Sequence, residues 1–254
     1  MKINFIPQCV TPEPVIREQL KYSDGKPRIE QCNLHRRRLA VVGGGPSVTS
    51  YLSEIARFDD VWGMNYVALW LNKQGIPATF VTIDCQPFDM SRVGGHAAIL
   101  PTSCHPDLHG AFDAVRYFDT IETHDNGLCG GTTTATRMPH LATTLGYCDV
   151  TFYGCEGSYL AQNHINEHRA YEDEIIVRAG KDYRTTPEYL LQAQNLGEII
   201  RKFPEIFKEK SGGLLSAMVS GLDWDVVAVS GALKHKLEKH NGTIVYDVPY
   251  QEAA

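Results

Sequence analysis

Small residues that suit a phosphate site follow the first strongly apolar segment of the chain. This turn lies between the apolar run 39–42 and a predicted helix through about Arg57, and it consists of Gly43, Gly44, Gly45, Pro46 and Ser47. Glycine lacks a Cβ atom, so a ligand can approach the backbone, and the free N–H groups at a helix start favour an anion. The turn matches neither the Walker motif nor G-x-G-x-x-G. It predicts a phosphate site, with an ordinary strand-to-helix turn as the alternative.

A second glycine-rich segment opens a later helix. It consists of Gly130, Gly131, Thr132 and Thr133, and it combines backbone donors with hydroxyl groups. This composition suits a phosphate or a ribose, and N-capping of the helix by a threonine is the alternative. Pro139 lies inside the same helix and predicts a kink or a shorter segment.

Polar and acidic side chains follow two further predicted strands. Asn65 comes after the strand 61–64, and Asp84 and Gln86 come after the strand 78–83. In open α/β sheets ligands bind outside the carboxyl ends of the strands, so we expect these three residues to face a bound ligand. Asp84 would bond a sugar hydroxyl or hold Mg²⁺ near phosphates, with capping of the following turn as the alternative.

Three residues beyond the predicted strand 150–153 are candidates for catalysis, namely Glu156, His164 and His168. An unperturbed imidazole titrates near neutral pH, so either histidine could take the proton of an acceptor hydroxyl. The alternative for each histidine is an ordinary surface residue.

Short apolar runs alternate with amphipathic stretches from Leu39 onward. Units of this length predict a mainly parallel sheet with helices on both faces, which is the Rossmann-like α/β class. We interpret residues 1–38 as an N-terminal arm, 39–160 as a nucleotide-binding core and 161–254 as a C-terminal elaboration packed on the core. The predicted helix 187–202 would pack on the sheet, with a lid or an oligomer face as the alternatives.

Several of these motifs carry a resemblance to known proteins. The segments V-V-G-G-G-P-S (41–47), G-M-N (63–65), T-I-D-C-Q-P (82–87) and above all 130–159 resemble the Rossmann-like family typified by archaeal 6-hydroxymethylpterin diphosphokinase. They are more distantly similar to bacterial sialyltransferases that use CMP-sialic acid. The resemblance covers residues 39–160.

The resemblance implies a nucleotide pocket and a set of residues that line it. By similarity these are Gly43, Gly45, Pro46, Ser47, Asn65, Gly131, Thr132 and Thr133. Sialyltransferases of this kind place a general-base histidine later in the chain, a role for which His164 and His168 are the candidates here. Family members often have an Asp after the strand that ends at Gly154, whereas this chain has Cys155 and Glu156.

The motifs and the resemblance together favour a nucleotide-binding transferase, foremost a glycosyltransferase that uses a nucleotide-activated sugar such as a CMP-sugar. One alternative is a diphosphokinase that transfers diphosphate from ATP to a hydroxymethylpterin-like compound. It would need Mg²⁺, with Asp84 and Glu156 as candidate ligands, whereas the other hypotheses expect no metal. A second alternative is a non-catalytic module that binds a nucleotide or docks on a partner protein.

Composition sets limits on these hypotheses. The 254 residues include 24 Lys+Arg and 30 Asp+Glu, for a formal charge of −6, with 43% hydrophobic and 21% charged residues. This is the profile of a folded domain, and the acidic balance argues against nucleic acid as a partner. No apolar run suits a membrane span or a secretory signal, so we expect a cytoplasmic protein with a small nucleotide ligand.

The cysteines point to the same compartment. There are seven of them, scattered without a C-x-x-C pair, so we interpret them as reduced thiols. A zinc site formed by Cys104, His105 and His109 is a weaker hypothesis, because no second cysteine pair accompanies C-H-x-x-x-H.

Overall fold

A computed structural model of the chain describes residues 4–8, 11–120, 127–131, 133–159, 164–165, 171–239 and 243–247. The strands within these residues are β1 (Asn4–Gln8), β2 (Leu39–Val42), β3 (Asp60–Met64), β4 (Thr79–Val81), β5 (Gly95–Pro101), β6 (Phe112–Phe118), β7 (Val150–Tyr153), β8 (Ile175–Ala179), β9 (Lys181–Thr185), β10 (Phe207–Glu209), β11 (Asp225–Val229) and β12 (Thr243–Asp247). The α-helices are α1 (Glu13–Leu20), α2 (Leu52–Ile55), α3 (Val67–Lys73), α4 (Thr134–Thr144), α5 (Pro187–Lys202), α6 (Gly213–Val219) and α7 (Gly231–Lys239).

The centre of the molecule is a parallel sheet of seven strands in the order β10-β7-β2-β3-β4-β5-β6. From β2 the chain adds strands on one side as far as β6 and then returns to place β7 on the other side of β2. A smaller antiparallel sheet has the order β11-β8-β9, and β1 pairs with β12 in parallel. The predicted α/β class with a mainly parallel sheet is confirmed.

The central strands are buried on both faces, and their side chains alternate between two cores. In β2, Leu39 and Val41 pack into the core that holds Met138 of α4 and residues of α5 and α6. Ala40 and Val42 pack into the opposite core, against α2 and α3. Burial on both faces explains why these strands appear in the sequence as continuous apolar runs and not as an alternating pattern.

The C-terminal part contributes to the central sheet as well as covering it. Its short strand β10 forms the sheet edge next to β7, in register with Val150 to Phe152. The boundaries at residues 38 and 160 stay a prediction. No helix among the described residues is both long enough and apolar enough to cross a bilayer.

Two predicted helices differ from those observed. The segment after the glycine turn is not one helix to Arg57, because it divides into a 3₁₀ turn (Pro46–Ser50) and the short α2. Ser, Thr and Val are weak helix formers, and the Thr49 hydroxyl bonds the Pro46 carbonyl at 3.0 Å. Helix α4 continues through Pro139 as one unit of 11 residues, so the shorter segment is not formed.

A glycine in β3 lets α3 pack directly on the sheet, which gives a prediction for stability. A Cβ atom on Gly63 would lie 2.4 Å from Ala68 Cα and 2.5 Å from Ala68 N, both of which are backbone atoms of α3. We expect Gly63→Ala to push α3 outward and to lower the free energy of unfolding by about 1–3 kcal/mol. Urea unfolding measures this. Gly110→Ala is the control, because nothing lies within 4 Å of that added Cβ atom, and equal stability of the two variants would contradict the packing argument.

Candidate functional site

The strand order places one crevice at the carboxyl edge of the sheet. The chain leaves β2 toward β3 on one side and β7 lies on the other, so the direction of the strand order reverses at this point. In open parallel sheets such a change of direction is where ligands bind. The glycine turn 43–47 lies on one side of this crevice and residues 154–156 lie on the other.

Backbone hydrogen bonds join the two loops beyond the ends of the strands. Gly43 N–H donates to the Tyr153 carbonyl at 2.8 Å, and Gly45 N–H donates to the Gly154 carbonyl at 2.9 Å. A Cβ atom on Gly43 would lie 2.5 Å from the Gly154 oxygen, and Gly154 itself has a φ of 65°. Glycine is therefore required here for close approach of two backbones.

The Glu156 side chain occupies the glycine turn. Its Oε1 accepts the Ser47 N–H at 2.9 Å, and a Cβ atom on Gly45 would lie only 1.5 Å from its Oε2. The residue is 8% exposed. The N–H group predicted to bind a phosphate thus holds a carboxylate of the protein, and a phosphate can use Ser47 N–H only if Glu156 moves.

Burial raises the pKa of Glu156, and the nearby Glu209 carboxylate raises it further, whereas the hydrogen bonds from Ser47 oppose the shift. Glu209 accepts the N–H groups of Ser211 and Gly212 at 2.8 Å and 3.2 Å, so it is fixed close by. A carboxyl group with a raised pKa can exchange a proton closer to neutral pH than an ordinary one.

His164 lies against the same turn. A Cβ atom on Gly44 would lie 2.1 Å from its Nε2, and Ile165 N–H donates to the Gly44 carbonyl at 2.8 Å. The residue is only 9% exposed, so it is not the surface histidine that was the alternative. His168 and Thr132 lie outside the described residues.

Asn65 and Asp84 form a second pair at the ends of β3 and β4. Asn65 Nδ2 donates to Asp84 Oδ2 at 2.8 Å, and Asn65 has a φ of 53°, the one positive value among the non-glycine residues described. Asn65 Oδ1 is buried without a hydrogen-bond partner among the described residues. Burial raises the pKa of Asp84, against hydrogen bonds from Asn65 and Thr82. Asp84 therefore pairs with Asn65, and within the described part of the chain its side chain forms no cap to the following turn.

The second glycine segment is mainly engaged in capping α4. Thr133 and Thr136 form a reciprocal capping box, in which Thr133 N–H donates to Thr136 Oγ1 at 3.1 Å and Thr136 N–H donates to Thr133 Oγ1 at 3.3 Å. A Cβ atom on Gly131 would lie 2.2 Å from Thr136 Oγ1, and one on Gly130 would lie 2.9 Å from the Thr136 carbonyl. The capping alternative is thus confirmed for Thr133.

Two of the weaker candidates have partners away from the crevice. Gln86 Nε2 donates to Thr11 Oγ1 at 3.0 Å, which joins it to the N-terminal segment. Cys104 Sγ lies 3.7 Å from His109 Nε2, and His109 Nδ1 lies 2.7 Å from the Tyr117 hydroxyl. Burial raises the pKa of the Cys104 thiol to about 12, and the described residues contain no cluster of three metal-ligating side chains.

Sequence reasoning missed two buried polar residues near this edge. Arg137 of α4 bonds the carbonyls of Leu128 and Gly131, the latter at 3.3 Å, and so holds the segment before α4. Gln19 of α1 donates from Nε2 to the Cys85 carbonyl at 2.8 Å. No local pattern singled out either residue, because the positions three and four away from Arg137 include Thr133, Thr134 and His140, and α1 carries no motif.

Comparisons with known proteins give a structural neighbour and no family. No protein-family model matches the chain, and no curated protein matches its sequence. Among solved structures, the chain is similar to the MAf glycosyltransferase from Magnetospirillum magneticum AMB-1, with a TM-score of 0.60 and 15% sequence identity. The similarity covers 83% of this chain and 42% of that one, so the chain spans less than half the length of this neighbour. At this identity the comparison shows a shared fold.

The contact between Gly45 and Glu156 gives a prediction for stability. We expect Gly45→Ala to displace the Glu156 side chain from Ser47 N–H and to lower the free energy of unfolding by about 1–2 kcal/mol, because a buried hydrogen bond is lost. The loss stays in this range because the flexible Glu156 side chain can rotate away. In a Glu156→Ala background, Gly45→Ala should lower the free energy of unfolding clearly less. Gly43→Ala should lower the free energy of unfolding more than Gly45→Ala does, because its added Cβ atom would meet the Gly154 backbone oxygen. Urea unfolding of the four variants tests this, and an undiminished cost of Gly45→Ala without Glu156 would contradict it.

The raised pKa of Glu156 gives a prediction for pH dependence. The folded protein holds the Glu156 proton more tightly than the unfolded chain, so stability is lost as pH rises from the ordinary value of 4.5 through the folded pKa. We expect Glu156→Gln to remove this loss, so that the stability of the variant relative to the wild type increases toward neutral pH. Glu198→Gln is the control. Lys202 lowers the pKa of Glu198, so the small contribution of Glu198 to stability has the opposite dependence on pH. Thermal unfolding across pH measures both, and parallel curves for wild type and Glu156→Gln would show the prediction to be wrong.

Proposed function

We propose that the chain is a nucleotide-binding transferase of the glycosyltransferase type, with its nucleotide-activated sugar bound at the crevice between β2 and β7. The observation that carries this proposal is the meeting of the glycine turn, Glu156 and His164 at the point where the strand order reverses. The fold shared with a solved glycosyltransferase supports the same class.

The crevice residues match the needs of glycosyl transfer. In that reaction an acceptor oxygen bonds the anomeric carbon, the bond from this carbon to the donor phosphate breaks, and the acceptor proton passes to a base. His164 is the candidate base, because its ring is fixed against Gly44. Glu156 is the alternative, because burial shifts its pKa toward the working range of a base.

Glu156 also affects how a donor phosphate would bind. Ser47 N–H has one carboxylate acceptor at 2.9 Å, and two anions cannot share it without strong repulsion in a buried site. Under this proposal the carboxylate rotates away when the donor binds, and a glycine at position 45 leaves that rotation free of any side chain.

The diphosphokinase hypothesis meets a geometric difficulty. Its two candidate Mg²⁺ ligands, Asp84 and Glu156, follow strands β4 and β7, which are three positions apart in the sheet. At about 4.8 Å per strand the two strands lie about 14 Å apart. The carboxylates also have separate partners, Asn65 for Asp84 and Ser47 N–H for Glu156, so one Mg²⁺ would have to draw both away from these partners. We therefore propose the sugar-transfer reaction first and keep Mg²⁺-dependent ATP binding as an outcome of the test.

Nucleotide titrations test the proposed function. We expect CMP, UDP or GDP to bind with an affinity that EDTA does not change, and the sugar conjugate of that nucleotide to be turned over with an acceptor panel. His164→Ala should lower turnover by about 10²–10⁴-fold, the usual contribution of a general base. His235→Ala is the control, because that imidazole is exposed on α7.

The other outcomes decide between the alternatives. ATP binding that requires Mg²⁺ would favour the diphosphokinase. Tight nucleotide binding with no product from a broad acceptor panel over hours would leave only the binding module. Equal turnover by the His164→Ala and His235→Ala variants would remove His164 from the mechanism.

A further inference from the structure

A polar cluster lies at the carboxyl ends of β3, β4 and β5, beside the crevice and outside it. We call it the edge cluster, and it consists of Gln19, Asn65, Asp84, Cys85 and Ser103. Helix α1, from the N-terminal segment, covers this cluster and contributes Gln19. The central crevice lies at β2, which is two positions from β4 and hence about 10 Å away.

Hydrogen bonds fix the cluster on both sides of β4. Gln19 Nε2 donates to the Cys85 carbonyl at 2.8 Å, and the Cys85 thiol lies 3.2 Å from the Ser103 hydroxyl. Asn65 Nδ2 donates to Asp84 Oδ2 at 2.8 Å. Gln19 is 5% exposed and Ser103 is 2% exposed. Apolar side chains would seal α1 to the sheet at a lower desolvation cost, so the use of amides here calls for a reason beyond packing.

The unsatisfied groups of the cluster are all acceptors. Gln19 Oε1 and Asn65 Oδ1 are buried without a hydrogen-bond partner among the described residues. A buried acceptor without a partner keeps its full desolvation cost. The Asp84 carboxylate accepts a hydrogen bond from Asn65 Nδ2, and Asp84 keeps partial access to solvent. A ligand that completes this cluster must bring hydrogen-bond donors, which are hydroxyl or N–H groups.

Two aromatic residues follow the same strand ends as these acceptors. Tyr66 follows Asn65 in the chain and Phe88 lies four residues after Asp84, and their ring centroids are 5.4 Å apart. Both side chains are half-buried. The Arg92 guanidinium lies over the Tyr66 ring, 4.1 Å from its centroid, so a sugar would pack beside this pair and not on that face. Small-molecule sites combine apolar rings with a few polar groups that fix orientation, and a sugar ring presents hydroxyl donors and C–H faces to such a surface.

We propose that the edge cluster is the subsite for the sugar of the nucleotide-activated donor, and that it selects a neutral, hydroxyl-rich sugar over an acidic one. This rests on the proposed function, because it needs the nucleotide in the crevice. Gln19, Asn65 and Asp84 accept hydrogen bonds from sugar hydroxyls, while the anomeric carbon lies toward the glycine turn, where His164 and Glu156 are. An acidic sugar would bring its carboxylate against Asp84 and two unsatisfied oxygens, which is unfavourable in a buried site.

The test separates the sugar from the nucleotide. Dissociation constants are measured by calorimetry for UDP, UDP-glucose and UDP-glucuronate, and for GDP and GDP-mannose, with wild type and Gln19→Met. We expect the neutral sugar to tighten binding relative to the bare nucleotide, and UDP-glucuronate to bind at least tenfold more weakly than UDP-glucose. Gln19→Met should abolish the gain from the neutral sugar and leave the affinity for bare nucleotide unchanged.

A matched variant guards against a merely structural effect. Thr11→Val removes the hydroxyl that accepts Gln86 Nε2, so it disturbs the same N-terminal contact without touching an unsatisfied oxygen. Thr11→Val should keep the tighter binding that the neutral sugar adds to the bare nucleotide. Circular dichroism checks that both variants fold. The inference is overturned if a neutral sugar adds nothing, if UDP-glucuronate binds as well as UDP-glucose, or if Thr11→Val and Gln19→Met lose the gain equally. Bare CMP is titrated beside UDP and GDP. If CMP alone binds, and CMP-sialic acid binds more tightly than CMP, the inference is overturned because that donor is acidic; if none of the three nucleotides binds, the proposed function itself fails.

Discussion

The close approach of the loops after β2 and β7 is the constraint on which the candidate site depends. Two backbone hydrogen bonds, from Gly43 to Tyr153 and from Gly45 to Gly154, continue the pairing of the two strands beyond their ends. A side chain at position 43 would meet the Gly154 oxygen at 2.5 Å, so the bonds require glycine. Because the loops meet in this way, Glu156 is carried directly over the turn and its carboxylate reaches Ser47 N–H. The position of the buried acid over the turn follows from this junction, and His164 lies against the middle glycine of the same turn.

The fold was largely predictable because burial on both faces leaves a clear trace in the sequence. A run such as Leu39-Ala-Val-Val42 is apolar at every position, since alternate side chains enter two different cores. Glycine and polar residues directly after such runs then locate the carboxyl edge of the sheet. The short strands β9, β10 and β11 were not predicted, because each has exposed or polar positions and depends on pairing with a neighbour. The helix expected to run to Arg57 failed for a local reason, since weak helix formers fill its first turn.

The site was predictable in position and less so in its internal contacts. Residue types at strand ends brought the glycine turn, Glu156 and the Asn65–Asp84 pair to the same edge, as expected. Spacing alone could not show that Glu156 would fill the turn, because the contact joins residues 109 positions apart. For the same reason Gln19 was missed, since its partner Cys85 is 66 positions away and α1 carries no motif. Long-range contacts between polar atoms depend on packing geometry that a single sequence does not encode in any local pattern.

The charge distribution along the carboxyl edge limits where an anionic ligand can lie. Two partly or largely buried carboxylates, Glu156 and Asp84, follow strands that are about 14 Å apart, and the pKa of each is raised by burial. Glu156 Oε1 already holds Ser47 N–H, so a phosphate reaches the glycine turn between these strands only when this carboxylate moves away. Uncharged parts of a ligand can then extend toward Asp84 and satisfy the acceptors there. An acidic chain with a formal charge of −6 is compatible with such a ligand, because phosphate binding then depends on where the carboxylates lie and not on the total number of Lys and Arg residues.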